Sequence, residues 1–406
     1  LIKAGQATAN LFVLQTGLVR GFYIKNDKEI NTWFAAENIV LGSALPLFSN
    51  NPSIENIQLL EDSVFHYISN QNLQKHDSLI FLTFPAEEKN QKREINLPET
   101  RIEKPIEFIR NPFMGQKKSA GLAYTLFSPS CCQEVMEFHR TLPNFKITPL
   151  ISLPNLAKIL GIRSLWVKDE SKRLGLNSFK VLGGSYAMAK TIQSLLNTQN
   201  EPLRFEDLIA EKTSNELGKI TFAAATDGNH GRGVAWAALQ LGYSSIIYVH
   251  KLTSQARIQA IKENGADVVV IDGTYDDAVR KINEDAKIYG WKIISDTAWE
   301  GYNEIPRWVM QGYTTMLAET QQQLAAQEVE KPTHVFVQAG VGSLAAATIG
   351  FYTALFNHER PTTIIVEPHK AACLFRSIEM GDGKPYSFNG SLDTIMAGLA
   401  CGVPNP

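Results

Sequence analysis

The sequence predicts an α/β fold, in which a mainly parallel sheet is flanked by helices and preceded by a small β unit. Two observations carry this. After Ile147, apolar strands alternate with amphipathic helices, and glycine-bearing turns stand where strand gives way to helix. Before Ser69 the texture is instead short and period-two, as in Leu18-Val19-Arg20-Gly21-Phe22-Tyr23-Ile24.

From Leu11 to Ser69, β-rich runs alternate apolar and polar residues, and a polar turn at Lys25-Asn26-Asp27-Lys28 leads into Ile30-Asn31-Thr32-Trp33-Phe34, as in a β-meander or roll. The polar stretch from Pro85 to Lys104 lacks apolar periodicity and reads as a linker. The domain boundaries are therefore a roll over 1–84, a linker over 85–110 and an α/β region over 111–406. Within the last, strands are expected at Ile220–Ala225, Ser245–His250, Asp267–Ile271, Lys292–Ser295, Thr333–Gln338 and Thr362–Glu367. Helices are expected at Gly228–Leu241, Gln255–Asn264, Tyr275–Ile288, Pro306–Leu324 as one long helix, and Ser343–Phe356.

With 406 residues, 44% hydrophobic and 20% charged, the composition is that of an ordinary globular protein of two or three domains. A formal net charge of −2 supplies no field for nucleic acid or anionic membrane, so a small molecule is the expected partner. No apolar run reaches the roughly 18 residues of a membrane span, and the first residues lack a signal-peptide pattern, which places the protein in the cytoplasm. Four cysteines are too few for a disulfide framework, and the adjacent Cys131-Cys132 suits neither a bridge nor a metal site.

Three motifs carry chemistry. Lys180 stands in Asn177-Ser178-Phe179-Lys180-Val181-Leu182-Gly183-Gly184-Ser185; downstream come Thr226-Asp227-Gly228-Asn229-His230-Gly231 and Gln338-Ala339-Gly340-Val341-Gly342-Ser343-Leu344. All three fall at strand-to-helix junctions, and ligands of parallel sheets bind at the carboxyl ends of strands. A lone lysine ordinarily heads a helix in solvent, but one in a dry pocket can hold an aldehyde as a Schiff base; Phe179 and a Gly183-Gly184 turn would supply the dryness. Its amine must be neutral to react, against an ordinary pKa of about 10.4. The Gly340-Val341-Gly342-Ser343-Leu344 turn opens a helix, where backbone N–H groups can hold a phosphate dianion, although alone it could equally be a tight turn. Asn229 and the two aspartates Asp227 and Asp296 would each, taken singly, be helix caps or turn residues. His230, Trp299, Tyr302, Trp308 and Tyr313 read first as core and pocket wall, and Glu367-Pro368-His369 as lining.

Together the motifs resemble the pyridoxal-phosphate enzymes of the tryptophan synthase β type, fold type II, from about Asn111 to Pro406. Asp227 ahead of Gly-Asn-His-Gly, and Ser295-Asp296-Thr297-Ala298-Trp299-Glu300-Gly301-Tyr302 with Met310-Gln311-Gly312-Tyr313 beyond, resemble the diaminopropionate ammonia-lyases within that group. The resemblance implies pyridoxal 5'-phosphate on Lys180 beside Phe179, Asn229 on its ring hydroxyl, and Gly340, Val341, Gly342, Ser343 and Leu344 around its phosphate. It implies α,β-elimination of 2,3-diaminopropionate to pyruvate and ammonia, with Lys180 the base for the L-enantiomer, Asp227 for the D-enantiomer, and Asp296 aiding substrate binding. Two anions suit a substrate with an extra ammonium. The alternatives are a serine or threonine dehydratase of the same fold and an inactive regulatory fusion. A homodimer is implied. The family continues past Ala397-Gly398-Leu399-Ala400-Cys401-Gly402, so both ends are expected to be cut, the partner of the cofactor's ring nitrogen lying beyond Pro406.

The N-terminal roll resembles the effector domain of the Crp/Fnr regulators through Gln15–Tyr23 and Pro52–Asp62. Its Leu41-Gly42-Ser43-Ala44-Leu45 stretch has none of the glycine-glutamate pair and arginine that hold a cyclic nucleotide, which implies a vestigial or packing role. No helix-turn-helix follows, so DNA binding is not expected.

Overall fold

The computed structural model describes residues 106–112 and 117–406, apart from Asp227, Leu252, Thr274 and Ile395, together with the backbone of six strands between Leu11 and Ile68. Two compact units divide the chain: residues 1–106 with 152–165, and residues 107–151 with 166–406.

In the first unit, β1 (Leu11–Thr16) pairs antiparallel with β4 (Ile39–Leu41) and β6 (Val64–Ile68). Likewise β2 (Val19–Lys25) pairs with β3 (Lys28–Ala35) and β5 (Asn56–Leu59). The β2–β3 ladder runs from Val19↔Ala35 to Lys25↔Lys28 and shifts register between Gly21 and Phe22, as a bulge does. The expected linker up to residue 105 and the stretch Gly42-Ser43-Ala44-Leu45 lie outside the described residues.

The second unit opens with helices α1 (Lys117–Leu126) and α2 (Pro129–Thr141), and α3 (Lys180–Leu195) follows after a segment that carries the short paired strands Leu150–Ser152 and Trp166–Lys168. Then comes the βα alternation: β7 (Thr221–Ala225), α4 (Asn229–Leu241), β8 (Ser244–His250), α5 (Gln255–Lys262), β9 (Asp267–Ile271), α6 (Tyr275–Tyr289) and β10 (Lys292–Ile293). These four strands form one parallel sheet in the order β9-β8-β7-β10. Two helices, α7 (Glu304–Gly312) and α8 (Thr314–Ala325), lead to a parallel pair, β11 (His334–Gln338) and β12 (Thr362–Val366), joined by α9 (Ser343–Phe356); α10 (Cys373–Met380) follows.

The apolar run of β7 is buried because helices cover both its faces: Phe222 and Ala224 share a cluster with Val234 of α4, while Ala223 packs with Ala278 and Ile282 of α6. Small alanines let those helices seat closely. The carboxyl ends of β7, β10 and β11 deliver Asn229, Asp296 and the Gly340 turn respectively.

Three local expectations change. The long helix expected over Pro306–Leu324 is two helices, and at the junction the Tyr313 N–H bonds the Met310 carbonyl at 3.2 Å with 3₁₀ spacing. Gly183-Gly184 is not a turn but the interior of α3. There a Cβ at Gly183 would stand 2.6 Å from Tyr313 Cε1 and 2.7 Å from Val309 Cγ1, so glycine lets α7 and Tyr313 close on α3. Lys180, finally, does not follow a strand directly, since a 3₁₀ segment at Glu170–Gly175 intervenes.

That segment is tied down by a buried ionic network. The fully buried Arg173 donates from Nη1 and Nη2 to both Glu319 oxygens (2.9 and 2.7 Å), from Nε and Nη2 to Glu170 (2.8 Å each) and from Nη2 to Thr148 Oγ1 (2.9 Å). Lys168 Nζ adds a bond to Glu319 Oε2 at 2.7 Å. Every donor has an acceptor, the condition under which buried charges are tolerated. Nearby, the buried His139 accepts from the Thr315 hydroxyl at Nδ1 (2.6 Å) and donates from Nε2 to the Leu182 carbonyl (3.0 Å), linking α2, α8 and α3. Burial pushes its pKa down to about 3.

Two stability measurements follow. Glu319→Ala strands the Arg173 guanidinium in the interior and is expected to cost about 3–5 kcal/mol in urea unfolding; a change under 1 kcal/mol would mean that the network is not formed. The unfolded chain protonates His139 near pH 6.5 and the folded one does so well below, so stability falls as pH drops from about 6.5 toward 3. His139→Gln should flatten that part of the pH–stability curve.

Candidate active site

Lys180 is set in place from both sides. Ahead of it, the backbone turns through left-handed residues at Leu174 (φ 49°) and Asn177 (φ 55°). Arg173 anchors one end of this stretch, and Arg232 of α4 donates to the Leu176 carbonyl at 3.1 Å. The Ser178 hydroxyl then accepts the Lys180 N–H at 3.3 Å at the start of α3. Phe179 meets the Tyr313 ring edge-on at 5.0 Å between centroids, and Lys180 Nζ stands 5.9 Å from the Phe179 centroid.

Asp296 is set just past β10. The Tyr302 hydroxyl donates to the Ile293 carbonyl (2.8 Å) and accepts the Ser295 N–H (3.0 Å), and Tyr302 stacks on Trp299 at 4.0 Å. The Ile294 N–H bonds the Ala223 carbonyl of β7 (2.8 Å), and His230 Nε2 donates to the Ile294 carbonyl (2.8 Å). This explains the run Ser295–Tyr302: its aromatics and hydroxyls fix the turn that presents the carboxylate. His230, as expected, is a buried packing and hydrogen-bonding residue.

The two meet. Lys180 Nζ and Asp296 Oδ2 form an ion pair, with Asp296 7% exposed. Desolvation weighs most on the Lys180 amine and opposes its charge, but Asp296, with Tyr313 and Cys401, outweighs it and holds the pKa above the ordinary lysine range. Burial likewise opposes the Asp296 charge, and Lys180 and His230 outweigh it, holding the carboxyl below the usual range. In the cofactor-free protein both influences favour the Lys180 ammonium.

Asp296 also joins the amine to the glycine turn. Ser343 Oγ donates to the Asp296 carbonyl at 2.5 Å, and Asn405 Nδ2 donates to Ser343 Oγ at 3.0 Å. Asn405 further accepts the Ala298 N–H (2.8 Å) and donates its own N–H to Val341 O (2.7 Å). Gly342 takes φ 104°, a conformation that favours glycine, and the first N–H groups of α9, at Ser343, Leu344 and Ala345, have no acceptor within their own helix. These residues fit an aldehyde-bearing phosphate ester: an amine, an anion-accepting helix start, and a carboxylate tying one to the other. Asn229 heads α4 and is exposed. Asp227 lies outside the described residues. Reasoning from sequence missed Asn405 and Arg173; neither has a local pattern to mark it.

The ion pair makes a direct prediction. In Asp296→Asn, burial becomes the ruling influence on Lys180, whose pKa should fall by about 1–3 pH units or more. Amine-selective labelling of cofactor-free protein across pH, read at the Lys180 peptide, measures the midpoint; an unmoved midpoint would show that the pair does not form in solution.

Known proteins bear on this site. Residues 142–406 match the family described as pyridoxal-phosphate dependent enzyme. Diaminopropionate ammonia-lyase of Salmonella typhimurium is 44% identical over 301 residues, 74% of this chain and 74% of that protein. The crystal structure of diaminopropionate ammonia lyase from Escherichia coli in complex with D-serine superposes with a TM-score of 0.63 at 45% identity, covering 69% of each chain. Processed threonine deaminase isoform 2 of Solanum lycopersicum, at 23% identity and a TM-score of 0.54 over 74% of each chain, shares the fold. At this identity and coverage the chain belongs to the diaminopropionate ammonia-lyase family of fold type II pyridoxal-phosphate dependent enzymes.

Proposed function

We propose that this chain catalyses the pyridoxal 5'-phosphate-dependent elimination that converts 2,3-diaminopropionate and water into pyruvate and two ammonia. The observation that carries the reading is the Lys180–Asp296 ion pair beside the Gly340–Leu344 helix start, in a chain 44% identical to a diaminopropionate ammonia-lyase. When bound, the cofactor supplies an electron sink that acidifies the proton on the substrate's α-carbon. The residues of the chain do the rest. Lys180 holds the aldehyde carbon through its amine, the N–H groups at Gly340, Val341, Gly342, Ser343 and Leu344 hold the phosphate, Asn229 the ring hydroxyl, and Phe179 shields the amine from water.

Asp296 changes partner in the cycle. In the cofactor-free protein it stabilises the Lys180 ammonium; with cofactor and substrate bound it pairs with the second ammonium of diaminopropionate, and the Lys180 amine, released from the aldehyde carbon, is free to act as a base. Lys180 takes the α-proton of the L-enantiomer and Asp227 that of the D-enantiomer. The β-nitrogen departs as ammonia, and hydrolysis of the three-carbon product releases the second. We further assign the protein to the cytoplasm as a homodimer, and the segment over 1–84 to a packing role.

One assay tests the reaction. Pyruvate and ammonia are measured from D- and L-diaminopropionate and from L-serine, with two ammonia per pyruvate expected from the diamino acid and a slower, one-to-one release from serine. Lys180→Ala should abolish turnover and the absorbance of the lysine-bound cofactor. A serine rate equal to or above that of diaminopropionate would identify a dehydratase instead.

A further inference from the structure

Tyr313 is fully buried; its hydroxyl makes no hydrogen bond of normal geometry among the described residues, and Lys180 is the group within reach of it. A buried hydroxyl without a partner is costly, and natural structures keep such groups where they have a use. Its location is constrained. Tyr313 sits at the α7–α8 junction, its Cε1 fills the space that a Cβ at Gly183 would take, and its ring meets Phe179, whose face lies 5.9 Å from Lys180 Nζ. The ring thus stands against Phe179, next to Lys180.

We infer that Tyr313 is a positioning residue for the Lys180 amine: its hydroxyl is the second acceptor that holds the amine in place when Asp296 turns to the substrate's ammonium. The inference rests on the proposed function for its role in turnover, but not for its effect on the resting lysine. After burial, which works against the ammonium, and Asp296, which favours it, Tyr313 is the next group raising the Lys180 pKa. The titratable groups facing the amine are Asp296, Tyr313 and Cys401; His230 and Tyr302 stand against Asp296, and Asp227 lies outside the described residues.

The experiment compares Tyr313→Phe with the parent protein. In cofactor-free protein, the Lys180 labelling midpoint is expected to move down by about half a pH unit or more, as loss of an acceptor from a buried cation requires. In loaded enzyme, kcat is expected to fall roughly ten-fold, the size of a lost hydrogen bond to a charged group, with KM little changed. As a control for the loss of a buried hydroxyl on the same helix bundle, Tyr186→Phe should leave the Lys180 midpoint where it was. A second probe, 3-fluorotyrosine at position 313, keeps the ring and hydroxyl but weakens the acceptor, and should shift the midpoint the same way by less. An unchanged midpoint in Tyr313→Phe, accompanied by a higher melting temperature, would overturn the inference and leave Tyr313 a packing residue. Failure of both proteins to take up pyridoxal phosphate would sink the proposed function, while the midpoint comparison would still decide the role of Tyr313.

Discussion

The site depends on one conflict, a lysine whose chemistry needs a neutral amine held against a carboxylate that favours the ammonium. Burial of either charge alone costs several kcal/mol, and the attraction between them in a poorly solvated setting offsets that cost. Without cofactor the pair is consequently stable but unreactive. Release must come from a competitor for Asp296, and a competitor needs positive charge. On the proposed reading the second ammonium of diaminopropionate is that competitor, whereas the hydroxyl of serine carries no charge with which to displace Lys180. Selectivity and activation then have the same physical origin.

Holding that conflict in place takes rigidity, and the fold supplies it through α3. The helix is buried along most of its length, contacts α4 and α7 closely, and admits Tyr313 because residue 183 lacks a side chain. Upstream, Arg173 fastens the approach to Lys180 with a fully satisfied ionic network, so the left-handed turns at Leu174 and Asn177 cannot relax. Removing such a pair from the interior could leave stability unharmed only if both charges went together. That distinguishes Arg173 and Glu319 from surface charges of the same type.

Much of this was legible in the sequence. The strands β7, β8, β9 and β11 and the helix α9 fall within a residue or so of the expected bounds, because short apolar, β-branched runs bounded by turn residues mark strands whether or not both faces are buried. Lys180, Asp296 and the Gly340 turn were singled out, and they come together through the Asp296 side chain and carbonyl. What escaped notice depends on distant partners. Arg173 and Glu319 are separated by 146 positions and singly look like surface charges. The break in the Pro306–Leu324 helix falls where Tyr313 packs against Gly183, a tertiary contact that helical periodicity cannot register.

Asp296 is best understood as a junction whose side chain and main chain serve different ends of the site. Its carboxylate sets the charge on Lys180, while its carbonyl accepts from Ser343, the residue that opens α9. Asn405 reinforces the same junction, bonding Ala298 on one side and Val341 and Ser343 on the other. A shift of the glycine turn therefore moves the Asp296 backbone and with it the carboxylate that governs the amine. The glycine turn at one end and the proton affinity of Lys180 at the other are joined by a path of two hydrogen bonds and one residue. Substitutions at Ser343 or Asn405 should then be felt at Lys180 although neither residue touches it, which is the behaviour of a site whose rigidity lies in its connections and not in its reacting groups alone.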